Sequence, residues 1–191
     1  AALNVLTPSV EPKATESIDD MIALTELLLD KGYAYVGGDD LYFDLGKLPE
    51  DFPSLARHNV DDLVQQNDDE LTGKRHKNDF ALWKSDKNHP DWTWDHPKVG
   101  AGRPGWNLEC SAMIKNHLGK TIDIHGGGGD LRFPHHEGEM AQSFAAHDAP
   151  LANYWMHNGM ITVNGKKMAK STGNFITVEE ALTRFPGEAI R

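Results

Sequence analysis

One cysteine in 191 residues excludes any internal disulfide framework. Long hydrophobic runs are missing as well: nothing approaches the ~20 apolar residues a membrane helix needs, and no secretory pattern opens the chain. These absences point away from a membrane and toward a reducing, cytoplasmic compartment. Positive charge is also in short supply, with 19 Lys and Arg against 29 Asp and Glu for a formal charge of −10. Phosphate binding rests on cations, so the charge argues against a strong grip on nucleic acid by this stretch, and if it serves a nucleic acid other parts must supply most of the affinity. What remains is the composition of an ordinary globular protein, long enough for one large domain or one and a half.

Along the chain, residues 1–15 look extended, with Pro8 and Pro12 interrupting any helix. From Ser17 the pattern turns helical. Ser17 and Asp20 have capping-box spacing, Ile18, Met21, Ile22 and Leu28 supply an apolar face, and Gly32 fits a C-terminal stop. Residues 33–36 and 41–44 flank a Gly-Gly-Asp-Asp turn and predict a hairpin. Residues 45–79 are polar and weakly periodic, with acidic runs at Asp61-Asp62 and Asp68-Asp69-Glu70 that suit a solvated loop or short helices. Residues 80–83 read as a short strand and residues 91–97 as an irregular connection. Its Trp92 and Trp94 either stack on a base or pack against the domain. Glycines at 100, 102 and 105 suit a tight turn or a ligand-approach segment.

The residues with chemical character concentrate between Gly102 and Ser171. Pro134 can open a helix, which puts His135 and Glu139 four residues apart on one face. Cys110 lies in a separate amphipathic stretch, residues 106–117. The strand-like TIDIH between them would let helix–strand–helix packing return its sulfur to the same place. One Cys, one His and one Glu suit zinc, which accepts S, N and O ligands, and three ligands leave a position open. Each residue has an ordinary alternative: a lone Cys is commonly a small buried hydrophobe, and a helical His/Glu pair is commonly surface or capping. His136 falls about a hundred degrees around the helix from His135, so it is not expected to share the ion. The strand 121–125 runs into Gly126–Gly129 and then a helix, the order in which doubly wound α/β folds bind ligands, without the dinucleotide-fingerprint spacing. Further on, a strand over 159–163 meets the turn pair Asn164-Gly165 and then KKMAKS. A positioned lysine there would stabilise charge that shifts in a nucleotidyl-transfer transition state. Nearby Gly173 suits a mobile loop. Thr177 and Glu180 repeat the capping-box pattern for a last helix.

Together GWNLECSAM, DIHGGGGDLRFPHHEGE, NYWMHNGM and KKMAKSTGN resemble the cysteinyl-tRNA synthetases, which are class I aminoacyl-tRNA synthetases. The resemblance spans the whole chain. It implies an α/β fold: an incomplete Rossmann-like nucleotide-binding domain carrying a connective insertion with a small antiparallel element. Residues 1–32 would end the first catalytic half and 33–95 would form the insertion. Residues 96–165 would form the second half with the zinc and ATP sites, and 166–191 the KMSKS-type loop and the start of a helical region. The resemblance makes Cys110, His135 and Glu139 three of four ligands of one Zn²⁺ per subunit, the fourth lying outside this chain. Trp106 and His125 would border the amino-acid pocket; a core aromatic and a structurally bonded histidine are the competing readings. Gly126, Gly127, Gly128 and Asp130 would hold the adenosine of ATP, supplied with Mg²⁺. Lys170, assisted by Lys167, would neutralise the departing pyrophosphate, with His125 beside the adenylate. Ala169 departs from the KMSKS pattern but leaves both lysines.

The implied activity is ATP-dependent activation of L-cysteine to cysteinyl-adenylate and its transfer to tRNA(Cys), with the substrate thiolate on zinc. The missing HIGH-type motif, the missing second cysteine and the start on Ala1 are the marks expected of an internal piece. Two alternatives stand beside this reading. A mycothiol-pathway cysteine ligase would act on an amino sugar, but its pattern lacks the carboxylate matching Glu139 and differs at the His125 position. The other alternative is a zinc-binding piece inactive by itself.

Overall fold

A computed structural model describes residues 2–55 and 73–191, and the acidic runs Asp61-Asp62 and Asp68-Asp69-Glu70 lie outside the described residues. The chain divides into two compact units, Pro12–His157 and a second made of Ala1–Glu11 with Asn158–Arg191. Among the described residues, no helix is long and apolar enough to cross a membrane.

The larger unit opens with α1 (Ile18–Asp30), which buries Ile18, Met21, Leu24 and Leu28 along one face. The expected capping box at its start does not form: the Ser17 hydroxyl donates back to the Lys13 carbonyl at 3.1 Å. At its end the Tyr33 amide reaches the Leu28 carbonyl (2.9 Å) and the Gly32 amide that of Leu29 (3.0 Å), so the predicted glycine stop is met. The hairpin also forms, as β1 (Ala34–Gly37) and β2 (Asp40–Phe43) around Gly38-Asp39. β3 (Phe80–Ser85), β4 (Trp94–His96) and β5 (Gly100–Pro104) complete a five-stranded antiparallel sheet in the order β1-β2-β3-β5-β4. Asp79 anchors the entry to β3. Its carboxylate accepts from the Tyr35 hydroxyl (2.6 Å) and from the Leu45 and His76 amides (both 3.1 Å).

Two sequence expectations need correction here. Residues 91–97 are not an irregular connection: Pro90–Trp92 makes one tight turn and Trp94–His96 is a strand. Gly100 and Gly102 do not form a turn but lie in β5, and Gly105 stands at the start of the helix that follows. Gly102 runs so close beneath the Lys84 carbonyl and the Trp83 ring that a Cβ there would collide with both. Short glycine-rich strands look like loops in one dimension because the packing that makes them strands comes from a distant neighbour.

The core lies between this sheet and three helices. Phe43 and Phe80 stack at 4.9 Å with an interplanar angle of 5°. Leu82 and Trp83 join them with α1, with Leu108 and Ala112 of α2 (Trp106–Leu118), and with Ala141 and Ala145 of α3 (Glu137–His147). A second, two-stranded sheet pairs β6 (Ile122–Gly128) with β7 (Ala152–Asn158), β6 and α3 following α2 in chain order. The mixed α/β content agrees with the sequence reading.

His96 reports on this core. Its Nδ1 accepts from the Lys98 amide (3.1 Å), which leaves Nε2 to donate to Thr25 Oγ1 (2.7 Å); Thr25 donates in turn to the Ile22 carbonyl (2.7 Å). A second ring proton would face the Lys98 amide. Burial, aided by Lys98 and opposed by Glu26, holds the imidazole below its ordinary pKa. Because the folded value is depressed, the contribution is present above the unfolded pKa of about 6.5 and is lost as pH falls below it. Denaturant titrations across this range should show unfolding free energy dropping on acidification. His96→Gln should flatten that dependence; a dependence identical to the native one would remove His96 from the account.

In the smaller unit, the expected strand over 159–163 shrinks to β8 (Thr162–Val163), paired with β9 (Lys166–Lys167) through Asn164-Gly165, both at positive φ (52° and 75°). α4 (Val178–Leu182) is capped as predicted, Thr177 Oγ1 accepting from the Glu180 amide at 3.1 Å. α5 (Gly187–Ile190) closes the chain.

Candidate metal centre

The larger unit brings Cys110, His135 and Glu139 together, with one ligand atom of each lying within 4.8 Å of the others. Cys110 comes from the second turn of α2. His135 comes from the turn just before α3 and Glu139 from the first turn of α3, which packs against α2. The helix begins later than Pro134 suggested: residues 132–136 form a separate turn in which Phe133 is extended (φ −136°, ψ 137°), and α3 proper starts at Glu137. His136 already has helical dihedrals (φ −65°, ψ −31°), so the four-residue spacing from His135 to Glu139 still places both on one side.

Each donor is held by a partner. Gly138 lets the Asn107 side chain lie directly on the α3 backbone, where a Cβ would collide with the Asn107 amide. From there Asn107 Oδ1 meets His135 Nδ1 at 2.9 Å. The oxygen can only accept, so Nδ1 carries the proton and Nε2 presents a lone pair. That lone pair lies 3.5 Å from Glu139 Oε1. Trp106 stacks on the His135 ring at 4.7 Å and 20°. The Glu139 side chain is fully buried, and its Oε2 pairs with His125 Nε2 at 2.7 Å. Its Oε1 is buried without a hydrogen-bond partner.

Without a cation this arrangement is costly. A fully buried carboxylate oxygen faces an imidazole lone pair, and an unpaired buried acceptor costs roughly 1–3 kcal/mol or more when charged. Burial, and then the charge of Glu139, push the Cys110 thiol up to about 12. A divalent ion among the three groups would reverse each term: it satisfies Oε1, accepts the imidazole lone pair and draws the thiol to thiolate. The S, N, O donor set and its open side fit zinc.

The other expected site residues are placed as follows. Trp106 is 55% exposed, which rules out its reading as a core aromatic. His125 is mostly buried and bonded to Glu139. Gly126, Gly127 and Gly128 belong to β6 itself, not to a turn after it; the turn comes at Gly129 and Asp130. Lys167 ends β9 and Lys170 begins a short turn, both exposed, in the smaller unit. His136 stays out of the Cys110 group, as expected, but forms a second group with His125 and Glu139. Its Nδ1 lies 2.9 Å from His157 Nε2. Burial is the main cause that pushes His136 down to about 4, so it is neutral near pH 7.

Asn107, Trp155 and His157 were not singled out from the sequence. Trp155 meets the His125 ring edge-on at 4.9 Å. Two-residue alternation along β7, which puts Trp155 and His157 on one face, was the available signal. For Asn107 there was none, since only the fold reveals that it faces His135. If zinc is held here, Asn107→Ala should weaken zinc affinity by about 10- to 100-fold, read by competition with a chelator, because the imidazole loses the bond that orients it.

A mixed α/β chain whose helices converge a Cys/His/Glu donor set defines an α/β protein with a candidate metal centre. The family model described as tRNA synthetases class I (C) catalytic domain matches residues 1–191, and the chain belongs to that family. It is 50% identical over 194 residues to a cysteine–tRNA ligase of Nitrosomonas eutropha, 48% over 202 residues to one of Hyphomonas neptunium, and 49% over 193 residues to one of Francisella tularensis subsp. mediasiatica. Each comparison covers 100% of this chain, which spans 41% of the length of these relatives. The names of these relatives lend nothing to the amino-sugar alternative.

Proposed function

We propose that the protein containing this chain is a cysteine–tRNA ligase, and that the chain carries its cysteine-recognition site and part of its ATP site. The observation that supports this reading most is the convergence of Cys110, His135 and Glu139 around a buried carboxylate oxygen with no partner. The order β6, α3, β7 is that of a β–α–β unit and is assigned to the second half of a Rossmann-like domain. ATP with Mg²⁺, L-cysteine and tRNA(Cys) are the substrates.

Cys110, His135 and Glu139, with a fourth ligand outside this chain, would hold zinc, which would supply a borderline-soft Lewis-acidic position that takes a thiolate far better than a hydroxyl. Shape alone discriminates small side chains only about 10- to 200-fold, so coordination chemistry gives this site its selectivity. The chain's own residues arrange that chemistry. His125 occupies one oxygen of Glu139 and leaves the other on the side of Cys110 and His135. Asn107 fixes the His135 tautomer, and Trp106, stacked on His135, walls the amino-acid pocket. The β6 glycines and Asp130 hold adenosine.

The cysteine carboxylate attacks the α-phosphorus of ATP, forming the acyl–phosphate bond as the bond to pyrophosphate breaks. Lys170 and Lys167 offset the charge that moves onto the leaving group. A terminal ribose hydroxyl of the tRNA then attacks the acyl carbon, AMP departs, and the hydroxyl proton passes to solvent or a nearby base. ATP–pyrophosphate exchange with the full-length protein should depend on cysteine and be silent with serine. Exchange supported equally by both amino acids, or by neither, would overturn the reading.

A further inference from the structure

We propose that Ser111 and Gln142 form a buried polar rung between α2 and α3, hydrogen-bonded directly or through one water, that fixes the register in which Cys110 meets Glu139. This rests on the metal-centre part of the ligase reading and extends it by assigning positioning residues that align the ligands without touching the ion.

Contacts along the seam set the direction of the two helices. Trp106 stacks on the His135 ring just before α3, Asn107 lies on Gly138, and Cys110 shares the donor group with Glu139. Past the end of α2, the Ser143 hydroxyl reaches the Lys120 carbonyl at 3.4 Å. Positions therefore advance together along both helices, which run the same way. Ser111 is four residues after Asn107 and Gln142 four after Gly138, so both continue that contact one turn further on the same faces. Ser111 is 4% exposed and Gln142 0%. The Ser111 hydroxyl and both polar atoms of the Gln142 amide are buried with no hydrogen-bond partner among the described residues. Buried polar groups are nearly always bonded, and the seam offers each of these the other. A buried water satisfies what a single hydroxyl cannot.

A polar pair between helices costs stability relative to an apolar one, and its best-attested use is to specify alignment. The apolar contacts here specify little. Ala112, Ala141 and Ala145 are small and alike, so one can stand in for another after a slip. The metal centre tolerates no slip: one turn moves a helix about 5.4 Å, more than the 4.8 Å within which the donor atoms of Cys110, His135 and Glu139 lie. The same slip would part Ser111 from Gln142, and that penalty defends the alignment.

The test uses the full-length protein with Ser111→Ala, Gln142→Met and the two together. Each single variant should bind zinc about 10-fold more weakly in chelator competition, the low end of what is lost when a ligand's support is removed. The double variant should lose about the same 10-fold, because the two residues act as one unit. Its metal-free form should melt no lower than the native protein, since an apolar pair replaces a polar one. Weaker metal binding without weaker folding is a result that a residue merely filling the core would not give. Native zinc affinity in both single variants, a loss of about 100-fold in the double, or a fall in melting temperature that parallels the fall in affinity would overturn the proposal. Should Gln142→Met fail to fold, Ser111→Ala removes only the hydroxyl oxygen and decides by itself whether affinity falls. Failure of the metal reading looks different: the native protein then takes up no zinc and the rung falls with it, whereas equal uptake by native and variant proteins sinks the rung alone.

Discussion

Cys110→Ser in the full-length protein is expected to lose bound zinc and cysteine-dependent exchange together. Serine keeps the shape of the side chain and removes the sulfur. The hydroxyl stays protonated near neutral pH and is a poor ligand for a borderline-soft ion, so the site is left with an imidazole and a carboxylate. Disturbing only the partner of a ligand costs about 10- to 100-fold in metal affinity, and losing the ligand itself should cost more than ~100-fold. The buried Glu139 oxygen without a partner raises the stakes, because once the ion is gone that oxygen must be protonated or hydrated. Metal analysis after dialysis gives the answer. Stoichiometric zinc in the serine variant would mean that Cys110 is only a buried small residue.

Lys170→Ala should slow adenylate formation about 10²- to 10³-fold and leave cysteine affinity unchanged. That is the usual effect of removing one group that stabilises transition-state charge. The loop is well organised for this: the Asn174 side chain accepts from the Ala169 amide (3.0 Å) and donates to the Lys167 carbonyl (3.1 Å). Lys170 Nζ rests 5.5 Å from the centroid of the Phe175 ring. The alanine change removes the charge without touching the Asn174 bonds, so a rate loss can be assigned to the ammonium group. Pyrophosphate exchange, with cysteine binding measured separately, distinguishes the two effects. A normal exchange rate would take Lys170 out of the mechanism; loss of cysteine affinity with normal exchange would give it a different one.

Local patterns carried a good part of the fold. Helical periodicity from Ser17, the hairpin around Gly38-Asp39 and the Asn164-Gly165 turn follow from nearest-neighbour backbone preferences, and the structure has all three. The errors came where a remote partner outweighs local preference. The glycines of β5 look like a turn until Trp83 and the Lys84 carbonyl lie over them, and Trp94–His96 looks irregular until His96 reaches Thr25. Ser17 had the spacing of a cap but found the Lys13 carbonyl instead.

By itself, the sequence determined which residues could bind a metal: one thiol, and an imidazole and a carboxylate one helical turn apart, are chemical identities that no fold can alter. Whether they meet was decided by the tertiary structure alone, because Cys110 lies 25 positions before His135 and only the packing of α2 on α3 closes that distance. The same packing recruited Asn107, and β7 brought Trp155 to His125 and His157 to His136. Hydrogen-bond partners are chosen by distance in space, and a sequence records only distance along the chain.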